Sequence, residues 1–471
     1  MRIKEWVFNE KVFKIVFLIL VSLITIFHRL DESPLGYDDA HYAQRAKDML
    51  KNRDFLYIKH KFGEEILLDN KPPMVYWFLS LSGKIFGFKN WSMRVVSGVF
   101  GFLTIIIFFL IINYFTRSFE FGFWSAFILN FTQQFIYYSR TATPEIIFNF
   151  FFWSAIFCFY IGVEKEKPIF IYLFGIFLGL AVMTRQVFGL MILVIIFGYL
   201  LLIKKTEFLL DKNFILAIFV SIIIFSPWHL YMIFRYGKNF INNYFGILAR
   251  YSFSREADWY EYIKKIFETY WPWLPFLVIG IVKLKKLEPD LKKFLFLFLV
   301  SIIIYVGVLH IPKFKAAQYL VVMYIPFAVV SSFGLISVDK SFIIRKILIV
   351  LGVILPIIWL SFPVIPNTLD SNEYKELKKS FEAIKKIDKG IFTLSNSEYW
   401  HFKNGILFYL DKNIVGLEEN ELINSMIRND SKNYYILKWK DFNEFTKKYI
   451  LSEKLVIISS QTESVFFTTI K

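Results

Sequence analysis

The chain holds one cysteine, Cys158, in 471 residues. It lies inside an apolar run, so neither a disulfide framework nor a thiolate metal site is available. A Gly-rich phosphate loop is absent, as are a nucleophile elbow and a Cys-x-x-Cys pair, which removes nucleotide hydrolysis and thiol chemistry from the leading functions. The six histidines, at 28, 41, 60, 229, 310 and 401, show no metal-ligand spacing. No cofactor is predicted, and a divalent ion finds no support in ligand spacing. There is no strong internal repeat and no low-complexity tract. Acidic residues are in deficit, 39 against 55 Lys and Arg, for a net charge of +16. The lysines fall mostly between apolar runs and in a polar tail rather than in one basic domain, which argues against a nucleic-acid partner. The excess reads as membrane orientation plus attraction to anionic lipid.

What the chain has in abundance is apolar surface: 56% of residues are hydrophobic and 20% aromatic, with a mean hydropathy of +0.49. That is too apolar for a water-soluble globule and predicts a polytopic membrane protein. The first run, Val12 to Phe27, follows basic residues Arg2, Lys4, Lys11 and Lys14 in the manner of a signal peptide, but His28-Arg29-Leu30-Asp31-Glu32 offers no small-residue cleavage site. An uncleaved first transmembrane helix is expected. Runs able to cross roughly 30 Å of hydrocarbon lie near 11–29, 94–115, 119–138, 145–163, 168–184, 187–203, 214–234, 271–284, 294–310, 317–337 and 343–365. With the amino terminus in the cytoplasm, Arg117, Lys165, Lys167, Lys204, Lys205, Lys283, Lys285, Lys286, Lys292, Lys293, Lys340, Arg345 and Lys346 all fall on the inner side, as the positive-inside rule requires.

The outer side then receives 30–93, Arg140 to Glu145, Arg185-Gln186, 235–270, His310 to Lys315 and everything after Pro366. Asp39 to Leu50 and Pro72 to Phe86 have helical spacing with one apolar side and are expected to be interfacial helices. From about Asp370 the composition turns polar and mixes short alternating stretches, Tyr434 to Leu437 and Leu455 to Ser459, with helical patterns. The predicted fold class is an α-helical polytopic membrane protein of about eleven transmembrane helices with a small C-terminal α/β extracytoplasmic domain. Residues 1–366 form the membrane domain, with 30–93 as its first outer loop, and 367–471 the outer domain, joined at Phe362-Pro363-Val364-Ile365-Pro366.

Candidate chemistry collects on that outer side. Tyr37-Asp38-Asp39-Ala40-His41-Tyr42-Ala43 carries an acidic pair beside the membrane, where a carboxylate can accept a proton from an attacking hydroxyl or amine. Capping of the helix that begins near Ala40 is the plain alternative for either Asp. Lys71, in Asp69-Asn70-Lys71-Pro72-Pro73-Met74-Val75-Tyr76-Trp77, is a candidate phosphate contact or an interfacial lysine snorkelling to lipid phosphate. Arg140 and Glu145 bracket Thr141-Ala142-Thr143-Pro144; an interfacial anchor and a first-turn acid are their alternatives. Arg185 interrupts a long apolar stretch at a very short outer turn, where a charge faces a cavity or a partner. Arg250 and Arg255, with Lys313, Lys315 and Tyr319, give outer cations suited to an anionic ligand or to anionic head groups. His41 and His310 are the two histidines expected near these residues, with a polar or interfacial role as the plainer reading of each.

The ordered set resembles a known family. The acidic pair followed by Ala-x-Tyr-Ala, Asp-x-Lys-Pro-Pro-x-x-Tyr-Trp, Trp91-Ser92-Met93-Arg94, Tyr138-Ser139-Arg140 with an acid five residues on, Gly179 through Arg185, Pro227-Trp228, and Pro312 through Lys315 to Tyr319 are similar to the aminoarabinose-transferase and protein-mannosyltransferase branch of the GT-C glycosyltransferases. The resemblance covers most of residues 30–330. It implies a polyprenyl-phosphate sugar donor, an acceptor reached from the outer side and inversion at the anomeric carbon. By position it makes Asp38 the acid that engages the acceptor, Asp39 its neighbour, Lys71 the lysine near the donor phosphate and Glu145 the second acid. Arg250 and the Lys315 to Tyr319 segment match regions that grip the leaving phosphate, and Arg185 and Lys313 join them. His41, Tyr42, Arg94 and Arg140 complete the candidates. Two positions depart from the pattern. Asn70 and Ile247 stand where the aminoarabinose enzymes have Glu and His, so a metal is not expected there. Thr184-Arg185-Gln186-Val187 replaces Thr-Lys-Gly-Pro, exchanging a point charge for a planar fork.

The expected activity is therefore transfer of a sugar from a polyprenyl-phosphate donor to lipid A or lipopolysaccharide at the outer face of a bacterial inner membrane, with protein O-glycosylation next. A lipid-linked-sugar transporter or a non-catalytic membrane protein is the alternative from another class. A transporter would place charges near the midplane of its spans, whereas these collect at one interface.

Overall fold

Backbone polar groups inside a bilayer have no water to bond, so each apolar run expected to cross one must close its own hydrogen bonds as helix. The computed structural model describes residues 10–56, 59–62, 65–68, 71–253, 258–284, 288–313, 315–339, 342–362, 391–394, 403–410, 414–428, 434–448, 455–460 and 464–469. Helix occupies all eleven runs: Glu10–Phe27, Asn90–Thr116, Phe119–Asn130 with Gln133–Ser139, Pro144–Lys165, Pro168–Arg185, Met191–Leu202, Lys212–Phe253, Leu274–Lys283, Pro289–His310, Tyr324–Val338 and Ile343–Ser361. Among the described residues, seven helical stretches are long and apolar enough to cross a membrane. The chain is a multi-pass membrane protein. The seven omit Glu10–Phe27 and take Pro168–Leu202 as one stretch, and two further runs fall short by themselves. The run at 119–138 breaks between Asn130 and Gln133, and Leu274–Lys283 has ten residues, about 15 Å of helix. Asn70, Arg255 and the joint at 363–366 lie outside the described residues, as do the side chains of Ile247 and Arg250.

Packing divides the chain into two units. The first comprises residues 1–28, 70–75 and 94–365. Its central element, Pro144–Lys165, is apolar around most of its circumference and buried along nearly its whole length, as so hydrophobic a helix must be. Small residues let neighbours approach where lipid gives no hydrophobic drive for helix association. A Cβ on Gly175 or Gly179 would strike the backbone of Lys212–Phe253 at Ala217 or Ser221, and Gly280 and Gly334 bring Leu274–Lys283 and Tyr324–Val338 together in the same way. Lys212–Phe253 is broken at Gly237 (φ 53°, ψ −134°). Beyond the break the chain folds back, because His229 Nε2 and the Tyr244 hydroxyl come within 2.8 Å, whereas fifteen residues of straight helix would separate them by about 22 Å.

The second unit comprises 29–69, 76–93 and 366–471. Here the expected interfacial helices are Tyr37–Asn52 and Met74–Phe86, and between them lies a two-stranded antiparallel hairpin, Lys59–Phe62 with Glu65–Leu68, that the sequence did not announce. The C-terminal residues carry a five-stranded sheet in the order Ile414–Leu417, Ile391–Leu394, Tyr434–Lys438, Ser464–Thr469, Leu455–Ser460. The first three strands run parallel and the last two pair antiparallel. Helices Glu419–Arg428 and Trp439–Lys448 cover the sheet through Leu422, Ile423, Met426, Tyr435, Leu437 and Phe442. Helix Lys403–Leu410 docks on the first outer segment: Lys47 Nζ donates to the Phe408 carbonyl at 2.9 Å, and Tyr409 Oη accepts from Leu35 N at 2.7 Å and donates to Asn90 Oδ1 at 2.6 Å.

Candidate functional site

The candidate residues divide between the two units. In the membrane unit, Pro144 opens a helix that places Glu145 in its first turn, and the end of Pro168–Arg185 presents Arg185. The two meet. Arg185 Nη1 donates to Glu145 Oε1 at 2.6 Å, with side chains 15% and 6% exposed. The second carboxylate oxygen, Oε2, is buried and has no hydrogen-bond partner. The Arg185 guanidinium lies over the Tyr319 ring at 4.8 Å, and that ring is stacked on Phe188 at 5.3 Å. A planar fork serves here better than an ammonium, because it can bond a carboxylate and lie on an aromatic face together. The backbone beside it is strained. Gln186 holds φ 55° and ψ −144°, a region that favours glycine, and glycine is the residue that the resembling family has there.

Lys315, expected as a phosphate contact, is bonded to backbone. Its ammonium donates to the carbonyls of Leu309, at 3.3 Å, and His310, at 2.9 Å, and also to that of Pro312. An ammonium has three protons, and these three carbonyls at the end of Pro289–His310 take them, as a cation closing a helix C-terminus does. Burial holds Lys315 below the ordinary lysine range. The cation also lies over Tyr262, at 5.6 Å from the ring centre, and the Tyr262 hydroxyl accepts from Ala316 N at 3.3 Å. Burial pushes the Tyr262 phenol up to about 12, so it remains a neutral hydrogen-bonding group at physiological pH. Tyr262 carried no signal in the sequence.

Arg140 is likewise accounted for by the fold. Only 1% exposed, it donates through Nη1 to the carbonyls of Thr25, at 3.1 Å, and Ile26, at 3.0 Å, closing the end of Glu10–Phe27, and its guanidinium lies 5.0 Å from the Trp359 ring. Arg94 is fully buried in Asn90–Thr116, Lys71 is half-buried ahead of Pro72 and Pro73, and Lys313 is exposed.

In the second unit the acidic pair opens helix Tyr37–Asn52. Gly36 occupies the cap position and makes no side-chain cap bond, so neither aspartate is the cap residue; both lie in the first turn, at the positive end of the helix dipole. Asp38 is exposed and Asp39 is 2% exposed. One turn on, Arg45 Nη1 donates to His41 Nδ1 at 2.8 Å. A guanidinium can only donate, so in this bond His41 Nδ1 is the acceptor. His41 meets Tyr42 edge-on at 5.3 Å, and Tyr42 stacks on Tyr76 at 5.5 Å. Arg45 was not singled out by the sequence, although its position four residues after His41 puts the two on one helix face. Among the described residues no three His, Cys, Asp or Glu side chains converge as a metal site.

Comparison with known proteins gives the fold a context. Residues 70–231 match the family model of dolichyl-phosphate-mannose-protein mannosyltransferase. An uncharacterized protein of Aquifex aeolicus (strain VF5) is 30% identical over 230 residues, 48% of this chain and 45% of that one. The chain spans about half the length of the curated relatives it matches. The crystal structure of ArnT from Cupriavidus metallidurans bound to undecaprenyl phosphate superimposes with a TM-score of 0.76 at 14% identity, covering 96% of this chain and 97% of that one. The Archaeoglobus fulgidus oligosaccharyltransferase in its apo form gives 0.58 at 12%, covering 91% and 70%. The chain has the fold of ArnT, a fold of the kind expected from the sequence.

Proposed function

We propose that the chain is an inverting glycosyltransferase that moves a sugar from a polyprenyl-phosphate donor to an envelope acceptor, lipid A or lipopolysaccharide, at the outer face of a bacterial inner membrane. The observation that carries the reading is the buried Glu145–Arg185 pair on Tyr319, left with one unpartnered carboxylate oxygen, in a fold that a relative uses while bound to undecaprenyl phosphate. Residues 1–366 are the membrane domain and 367–471 the extracytoplasmic domain, with the amino terminus cytoplasmic.

A polyprenyl phosphate leaves readily once cations neutralise the charge growing on its oxygens, so a base on one side and Lys or Arg on the other suffice. In this scheme Asp38 accepts the proton of the acceptor hydroxyl or amine, and that atom attacks the anomeric carbon. The bond from the anomeric carbon to the phosphate oxygen breaks, and the sugar inverts. Asp39 supports Asp38. Lys71, Arg185, Arg250 and Lys313 receive the phosphate, Glu145 and Tyr319 hold the Arg185 fork in orientation, and Lys315 holds the segment that carries Tyr319. His41, Tyr42, Arg94 and Arg140 position their neighbours.

The test is transfer of labelled sugar from polyprenyl-phosphate donors to a membrane extract by the purified chain in detergent. Asp38→Asn should abolish it; undiminished transfer would remove Asp38 from the mechanism. Lys71→Ala should weaken donor use more than acceptor use, and equal loss of both would contradict its role. Detergent leaves no compartments, so a transporter would show no transfer at all. Mass spectrometry of lipid A and of envelope proteins from cells with and without the chain separates the lipid acceptor from a protein acceptor.

A further inference from the structure

Helix Pro144–Lys165 carries a polar stripe over its first turns. Glu145, Asn149 and Trp153 are spaced four residues apart and so share one face. Both ends of that stripe address the same piece of chain, the 3₁₀ segment Ala317–Met323. Glu145 reaches it through Arg185, whose guanidinium lies on Tyr319, and Trp153 Nε1 donates directly to the Val322 carbonyl at 2.8 Å. Asn149 lies between them, fully buried, and neither its Oδ1 nor its Nδ2 has a hydrogen-bond partner.

Three polar atoms without partners thus lie within one helical turn: Glu145 Oε2, Asn149 Oδ1 and Asn149 Nδ2. Buried polar groups are satisfied in folded proteins, and exceptions require an explanation. An asparagine whose task was helix association would bond across to a neighbouring helix, and this one does not. We propose that Asn149 is a sugar-binding residue, forming with the second oxygen of Glu145 a buried polar floor that takes two neighbouring hydroxyl groups of the donor sugar. The inference rests on the glycosyltransferase reading above and deepens it.

The donor and acceptor count selects the ligand class. Glu145 Oε2 and Asn149 Oδ1 can only accept, while Nδ2 can only donate. A lone hydroxyl has a single proton and leaves one acceptor unfilled. A vicinal diol satisfies all three: one hydroxyl donates to Glu145 and receives from the amide, and the other donates to Asn149 Oδ1. The bond to the ionised carboxylate is the stronger one. A phosphate brings acceptors that only Nδ2 could serve, and it leaves Glu145 Oε2 and Asn149 Oδ1 unfilled, which separates this floor from the cations assigned to the leaving group.

The experiment compares binding of undecaprenyl phosphate with binding of the same lipid carrying mannose, glucose or 4-aminoarabinose, using the full chain in nanodiscs. The wild type should prefer at least one glycosylated lipid over the bare lipid. Asn149→Leu, close in shape and without hydrogen-bonding atoms, should cut that preference about tenfold and raise the donor KM, while affinity for bare undecaprenyl phosphate stays within about twofold. A preference retained in full would overturn the inference and leave the activity intact, as it would if water alone filled the floor. A wild type without preference for any glycosylated lipid would defeat the functional reading and this inference together. If Asn149→Leu does not fold, Asn149→Ser, which keeps one hydroxyl, should lower the preference by a smaller factor, and an unchanged ratio would again overturn the proposal.

Discussion

Two ion clusters in the membrane unit use the same residue types and end differently. In the first, Lys14 bonds Glu10 at 2.6 Å and Glu120 at 2.5 Å. Glu120 also accepts from Trp124 Nε1, at 3.0 Å, and Arg345 Nη1, at 3.5 Å. Arg345 in turn donates through Nε to Asp339 Oδ2 at 3.1 Å, and Asp339 Oδ1 accepts from Ile344 N at 3.3 Å. Both oxygens of Glu120 and both of Asp339 are used. In the second, Glu145 and Arg185 form a pair of equal quality, yet Glu145 Oε2 is left over and Asn149 below it is wholly unpartnered. A closed network of charges ties helices together and has nothing left to offer a ligand. An open one, its carboxylate more deeply buried than Glu120, leaves polar atoms unsatisfied that a substrate can satisfy.

Substitution at each cluster sharpens that contrast. Glu145→Gln should produce the largest effect, lowering sugar transfer by about a hundredfold through misplacement of the Arg185 fork while thermal unfolding in detergent stays close to wild type; equal losses of stability and activity would make the open pair structural. Arg345→Met should do the reverse, removing about 3 kcal/mol of stability by stranding buried Asp339 and leaving turnover per folded molecule unchanged. A selective loss of turnover would erase the distinction between the clusters. Gln186→Gly should relieve the strained backbone next to Arg185 and raise stability by about 1 kcal/mol, read as a higher unfolding temperature; no rise would mean that the strain is absorbed elsewhere.

The smallest effect concerns pH at the closed cluster. Burial by itself would raise the Asp339 carboxyl, but the Arg345 backbone N–H, the Arg345 guanidinium and the Ile344 N–H together hold it below its ordinary value. Its contribution to stability is therefore complete above the ordinary aspartate range and is lost as pH falls through the depressed folded value. Asp339→Asn should be less stable than wild type at pH 7, and the gap should narrow on acidification below about pH 3.9. A gap that widened in acid would reverse the sign assigned here.

The sequence located Glu145 and Arg185 separately, through an acid after proline and a charge breaking an apolar stretch, but nothing in their spacing of forty residues joined them. It also carried Asn149 in plain view, one turn after Glu145 in an otherwise apolar helix, without marking it as unsatisfied. Lys315 and Arg140 were legible as outer cations. That their protons close helix ends could not be read from the chain, because the accepting carbonyls of Thr25, Ile26, Leu309 and His310 belong to backbone that has no residue-type signature.

The sequence by itself determined that the chain crosses a membrane many times, where its helices lie, and that its charges gather at their ends, since hydrocarbon forces long apolar runs into helix whatever their neighbours. The tertiary structure decided which charges are satisfied and which are left open. Hydrogen-bond satisfaction depends on atoms brought within about 3 Å across distant segments, and that proximity is a property of packing, which local periodicity does not encode.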